Sequence, residues 1–256
     1  MTGLRPGESG ETVLTQAEDG VLTVRLNRAE SAHARNQVMR DELASLWRAV
    51  AADREVRVVV LTGAGDRYFC AGMDLKEAGQ PEEPVARRDR MQRSRDIELL
   101  ADLPQPTVAA INGYALGGGL EMALACDMRL IADSAQVGLP EVTRGLVPGG
   151  GGTQRLPRLI GYPRACELVL SGRRLTAREA VEWGIAARVV PAAELLAAVR
   201  VLAASIAVYP EPAVRYAKVL LKRSLQLPVS AGVDAELDVV LTLLAQADAQ
   251  RGSMST

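Results

Sequence analysis

A β-branched segment, Thr107 to Ile111, runs into Asn112-Gly113-Tyr114-Ala115-Leu116-Gly117-Gly118-Gly119-Leu120-Glu121, so an extended stretch must hand over to a helix through three consecutive glycines. Glycine lets backbone N–H groups come close to a ligand, and a helix N-terminus adds partial positive charge. The junction therefore reads as a cradle for an oxygen that gathers negative charge. Glu121 falls in the first turn of the helix, and Pro140-Glu141 supplies another carboxylate further along. The two glutamates are candidates for moving protons beside the cradle. A phosphate loop fits less well, because no Lys-Ser or Lys-Thr follows the glycines and the GxGxxG spacing is absent.

The 256 residues contain no long spacer, which points to one large domain with a helical appendage, expected as a core over 1–195 and a helical region over 196–256. Thirty Lys and Arg against thirty-one Asp and Glu give a net charge of −1, without the positive excess of a nucleic-acid-binding chain. Cys70, Cys126 and Cys166 are odd in number and form no CxxC pair, so neither a disulfide framework nor a metal site is expected. The first eighteen residues are polar, and the most apolar later stretches are broken by Arg188 and Arg200. These features predict a soluble, cytoplasmic protein with no membrane contact.

Apolar runs at Val21–Leu26, Val56–Thr62, Thr107–Ile111 and Met128–Ala132 alternate with helical patterns, the order of an α/β chain. Val38, Leu43, Leu46, Trp47 and Val50 predict one apolar face on a helix over 37–54, and 87–103 reads as another helix. Gln80-Pro81-Glu82-Glu83-Pro84 reads as a mobile surface connection before it. The arginines at 87, 88, 90, 93 and 95 are interleaved with acidic residues, as on a solvated helix face. Thr176-Ala177-Arg178-Glu179 fits a capping box, with Gly184 ending the short helix. A helix is expected from Pro191 to Tyr209, and amphipathic helices follow from Ala213.

Three ordered motifs together carry a resemblance. They are Phe69-Cys70-Ala71-Gly72-Met73-Asp74-Leu75, the segment from Asn112 to Glu121, and Pro140-Glu141 followed by Gly145-Leu146-Val147-Pro148-Gly149-Gly150-Gly151-Gly152-Thr153-Gln154-Arg155-Leu156-Pro157. With them the chain, from about Leu22 to Val190, resembles the enoyl-CoA hydratase/isomerase family, also called the crotonase family.

The resemblance implies an α/β crotonase fold, with turns of a ββα spiral as the core and C-terminal helices that associate into a homotrimer or a dimer of trimers. It implies an acyl-CoA thioester substrate whose carbonyl oxygen is held by the N–H groups of Met73 and Gly118. Glu121 would then hold and activate water, and Glu141 would donate the proton, in reversible syn hydration of a trans-2-enoyl-CoA. Coenzyme contacts would fall at His33, Ala34, Arg35, Ala71, Asp74, Leu75, Lys76 and Gly117. Arg35 and Lys76 would meet phosphate or remain solvated surface charges, and His33 would be a loop residue or a coenzyme contact and not a base. No metal, flavin or nicotinamide is implied, since coenzyme A is part of the substrate.

Other readings stay open. An enoyl-CoA isomerase can work largely with the position occupied by Glu141, a decarboxylase or thioester hydrolase stands behind it, and a nonenzymatic scaffold or RNA-binding module is the reading outside catalysis. There is no GxSxG elbow, and the single histidine lies far upstream of any serine it could serve. The chain departs from the family at its end, where a Glu-Gly-x-x-Ala-Phe helix with a basic segment is usual and Leu243 to Thr256 carries neither.

Overall fold

The computed structural model describes residues 5–78, 82–93 and 95–253. Its strands are β1 (Val13–Glu18), β2 (Val21–Leu26), β3 (Val58–Gly63), β4 (Tyr68–Cys70), β5 (Thr107–Ile111), β6 (Tyr114–Leu116), β7 (Met128–Ala132), β8 (Gln136–Gly138), β9 (Arg174–Thr176) and β10 (Arg188–Val190). Between and after them come α1 (Gln37–Ala52), α2 (Leu75–Ala78), α3 (Pro84–Arg93), α4 (Asp96–Ala101), α5 (Gly118–Ala125), α6 (Gly152–Ile160), α7 (Tyr162–Ser171), α8 (Ala177–Glu182), α9 (Leu195–Ala207), α10 (Glu211–Arg223) and α11 (Val229–Ser253).

The large sheet has the order β1-β2-β3-β5-β7-β10 and is parallel except for the β1–β2 hairpin. A smaller sheet has the order β4-β6-β8-β9. The chain repeats a cycle of long strand, short strand and helix, through β3-β4, β5-β6-α5 and β7-β8, which is the expected ββα spiral. Every residue of β3 and β5 is buried, so their apolar runs show no alternation, as central parallel strands covered on both faces require.

The polar N-terminal stretch nevertheless contributes a strand. Asp19 and Gly20 both have positive φ, 49° and 76°, and this tight turn pairs β1 with β2. Only Val13 of β1 is buried, which is why the segment looks unlike a strand in composition. On α1 the Asn36 side chain accepts the Met39 N–H at 3.0 Å. The buried face is Met39, Leu43, Leu46, Trp47 and Val50, and Val38, expected on that face, points outward.

The helix expected over 87–103 is instead two, α3 and α4, with Asp96, Ile97 and Leu100 buried on the second. Gln80 and Pro81 of the expected surface connection lie outside the described residues. Arg90 forks onto Glu82 through Nε at 3.0 Å and Nη2 at 2.7 Å and reaches Gln37 at 2.9 Å, so the arginine-rich face is partly laid against α1. The Thr176–Glu179 capping box forms, and Gly184 follows α8 with φ +85°.

Helix α9 begins at the expected 195/196 division yet buries Leu195, Val199 and Ala203 against β2, β3, β5 and β7. Beyond it, α10 is tied to the core by Lys218, whose Nζ meets Asp127 Oδ2 at 2.6 Å and donates to the Gln105 carbonyl at 2.7 Å. Helix α11 leaves Val233, Leu237, Val240, Leu241 and Leu244 exposed.

Candidate active site

The glycine cradle sits where the two short strands β4 and β6 end side by side. Gly72, at φ +96°, has no room for a side chain, since a Cβ there would come within 3.0 Å of the Gly118 nitrogen and 2.8 Å of the Leu116 carbonyl. The Arg35 N–H donates to the Gly72 carbonyl at 2.7 Å, and the Asp74 N–H to the Arg35 carbonyl at 3.1 Å. This parallel bridge turns the intervening Met73 N–H to the opposite side. Gly118 opens α5, so its N–H is one of the donors a helix leaves unused. Among the described residues neither the Met73 nor the Gly118 N–H donates to another backbone carbonyl.

Both glutamates stand against this cradle. Glu121, buried in the first turn of α5, accepts the N–H of Gly150 at 2.7 Å and of Gly152 at 2.8 Å, both on Oε1. Burial pushes its carboxyl up, and the two amides, Arg35 and Arg155 pull against that without cancelling it. Glu141 lies on a short 3₁₀ turn, Pro140–Arg144, and its Oε1 is 3.2 Å from the point a Cβ on Gly117 would occupy. Its buried Oε2 has no hydrogen-bond partner among the described residues. Burial again raises the carboxyl, and the charge of Glu121 adds to it against the pull of its own N–H. The site therefore favours the protonated form of each carboxyl more than solvent would.

Arg35 is not the solvated surface charge that the sequence allowed. It is buried, with Nε 3.1 Å from Asp96 Oδ2 and Nη2 2.5 Å from Asp96 Oδ1, and its Nη1 lies 2.7 Å from the Cβ position of Gly118. Burial opposes its charge, and Asp96 more than restores it. Asp96 was invisible in a helix read as solvated, although it shares a helical face with Leu100, four residues on, and so puts a charge on an apolar stripe.

His33 is likewise turned inward. Its Nδ1 accepts the Arg28 N–H at 2.9 Å and its Nε2 lies 2.9 Å from the Ala64 carbonyl, an arrangement that requires the neutral ring with the proton on Nε2. Burial lowers its pKa. The imidazole is thus a latch within the loop and not an exposed loop side chain. Arg28 continues the latch, reaching the Ala34 carbonyl and pairing with Asp74 at 3.0 Å. Asp74, held below the usual carboxylate range by Arg28 against its partial burial, also accepts the Lys76 N–H at 3.1 Å. Ala71, Met73, Leu75 and Lys76 are exposed along the same rim, and Ala34 is half-buried behind it. Burial pushes the Cys70 thiol up to about 11, which removes it as a thiolate nucleophile.

The spiral recurs in known proteins. The family pattern described as enoyl-CoA hydratase/isomerase matches residues 16–255. Enoyl-CoA hydratase domain-containing protein 2 of Mus musculus is 41% identical over 228 residues, covering 87% of this chain and 77% of that one. The carnitinyl-CoA dehydratase of Proteus mirabilis is 41% identical over 212 residues, covering 83% of this chain and 80% of that one. The crystal structure of an enoyl-CoA hydratase from Bacillus anthracis superposes with a TM-score of 0.88 at 40% identity, covering 96% of this chain and 95% of that one. By sequence and by spiral architecture alike, this chain belongs to the enoyl-CoA hydratase/isomerase family and has its crotonase fold.

Proposed function

We propose that the protein is an enoyl-CoA hydratase, adding water reversibly and syn across the double bond of a trans-2-enoyl-CoA. The observation that carries this reading is the pair of glutamates, both with raised pKa, set against the Gly117–Gly118 cradle. The Met73 and Gly118 N–H groups hold the thioester oxygen and stabilise the enolate, each such donor contributing about 3–4 kcal/mol in comparable sites. The oxygen of water bonds to C3 and its proton passes to Glu121, whose Oε2 is left without a protein partner among the described residues. C2 takes its proton from Glu141. Two interacting carboxyls with one proton between them supply one acid and one base, and dehydration reverses the roles. Coenzyme contacts are proposed along the rim formed by Ala34, Ala71, Asp74, Leu75 and Lys76, with Gly117 beside the thioester.

A double-bond isomerase is the second reading, favoured by the unpartnered Oε2 of Glu141, which alone could shuttle a proton between C2 and C4. Purified protein given crotonyl-CoA and, separately, a 3-enoyl-CoA decides between them. Formation of 3-hydroxybutyryl-CoA from crotonyl-CoA is expected. Rapid isomerisation of the 3-enoyl thioester with no hydration would replace the hydratase reading. The exposed apolar residues of α11 support association into a homotrimer or dimer of trimers, which light scattering measures.

A further inference from the structure

Arg35 brings a charge to the site that acts on Glu121 from a distance but takes part in no proton transfer of the proposed hydration. A guanidinium has two bidentate edges, a side-on edge at Nε and Nη2 and an end-on edge at Nη1 and Nη2. Asp96 occupies the side-on edge, at 3.1 and 2.5 Å. Among the described residues no atom accepts from Nη1, and Nη2, which carries two hydrogens, is bonded to Asp96 alone. The Arg35 Nη1 lies 2.7 Å from the point a Cβ on Gly118 would take, and Gly72 Cα lies 3.6 Å from the same point. Nη1 therefore stands beside the Gly118 amide proposed to hold the thioester carbonyl, within reach of an acyl group bonded to that carbonyl.

A plain hydrocarbon acyl chain laid there would cover charged N–H groups and offer them no acceptor, a cost that a hydrophobic pair at 35 and 96 would avoid. A cationic acyl substituent would meet like charge. A carboxylate fits the fork in shape and sign, and because Asp96 already holds the guanidinium in place, little side-chain freedom is lost on binding. We propose that Arg35, positioned by Asp96, is the receptor for a carboxylate on the acyl chain, so that 2-enoyl-CoA thioesters whose acyl group carries a carboxylate are preferred over plain ones such as crotonyl-CoA. This rests on the thioester reading of the site given above.

The test uses two saturated thioesters that cannot react, butyryl-CoA and glutaryl-CoA, titrated calorimetrically into the full-length protein. The quantity read is the ratio of their affinities, in which any general effect on coenzyme binding cancels. The wild type is expected to bind glutaryl-CoA at least about ten-fold more tightly than butyryl-CoA. In Arg35→Leu/Asp96→Leu, which removes both charges and leaves no buried ion unpaired, the ratio is expected to fall to about one. Arg35→Lys keeps the cation and loses the planar fork, so it should lower the ratio part of the way, and it carries the test should the double variant show no cooperative melt. Equal affinities in the wild type, or a ratio unchanged in whichever variant folds, overturn the proposal alone. A wild type that binds neither thioester overturns the reading on which it stands.

Discussion

Glu121 Oε1 is fixed by the Gly152 N–H at 2.8 Å, a bond between the first turn of α5 and the first residue of α6. The Gly150 N–H shares the same oxygen at 2.7 Å, so one half of the carboxylate is a structural anchor and Oε2 is left without a hydrogen-bond partner among the described residues. Glu141 differs, with a buried Oε2 that has no partner and, among the described residues, no backbone N–H from another segment on its carboxylate.

Replacing either carboxyl should stop hydration without unfolding the chain. Glu141→Gln and Glu121→Gln are each expected to lower kcat by about 10²–10⁴-fold, the range for a lost general acid or base. Glutamine at 121 can still accept the Gly150 and Gly152 N–H groups through its amide oxygen, so a loss of activity there reports chemistry and not a broken anchor. Steady-state kinetics on crotonyl-CoA, with circular dichroism as the fold control, check this. A variant that retains hydration removes that residue from its role.

Glu141→Gln should also raise the thermal stability near neutral pH. The folded carboxyl has a raised pKa, so between its ordinary and raised values the folded state binds more protons than the unfolded chain, and stability falls as pH rises through that window. Glutamine has no charge to bury, and the half-exposed position keeps the gain small through solvent screening. Scanning calorimetry should find a Tm higher by about 1–3 °C at neutral pH, shrinking to nothing in acid. A lower Tm at neutral pH would contradict it.

His33→Ala should cost about 2–3 kcal/mol, since the Arg28 N–H and the Ala64 carbonyl each lose a partner. The folded pKa of His33 is depressed, so the unfolded chain takes up a proton first as pH falls below the ordinary value of 6.5. The stability contributed by the neutral ring is complete above that value and is lost as pH descends toward the depressed one. Urea unfolding at about pH 7.5 and about pH 5.5 should show a wild-type decline that the alanine variant lacks. An equal decline in both would assign it to other groups.

Gly72→Ala should cost about 1–3 kcal/mol of stability, because φ +96° is strained for alanine and the new methyl would press on the Gly118 nitrogen. The same displacement should lower kcat/KM by about 10²-fold or more through the oxyanion donors. A variant with wild-type kinetics would show that the Gly72–Gly118 contact does not set the catalytic geometry.

Lys218→Met should loosen α10 from the core and lower stability by about 2–4 kcal/mol, leaving Asp127 and the Gln105 carbonyl without their cation. A fall in the urea midpoint at unchanged slope is the expected signature. No change would mean that packing alone secures α10.

Elements whose cause is local were legible. The runs Val21–Leu26, Thr107–Ile111 and Met128–Ala132 are strands at those bounds, and the Thr176–Glu179 capping box forms as spacing and side-chain chemistry require. Strand β1 was missed because its outer residues are polar, although the Asp19-Gly20 turn was a readable signal for the hairpin. The outward turn of Val38 and the burial of Met39 depend on how α1 docks, which its own periodicity leaves within one residue of uncertainty in angle.

The amino-acid order by itself determined the alternation of strand and helix, the glycine junction ahead of Glu121 and the motifs that place the chain in its family, because propensity, backbone freedom and spacing act over a few neighbouring residues. Tertiary structure alone decided that His33 faces inward onto Ala64, that Asp96 crosses from α4 to take Arg35 out of solvent, and that Gly150 and Gly152 anchor Glu121. Those outcomes depend on which distant segments the spiral stacks together, and on the burial that then shifts each charge, and neither quantity exists until the chain has closed on itself.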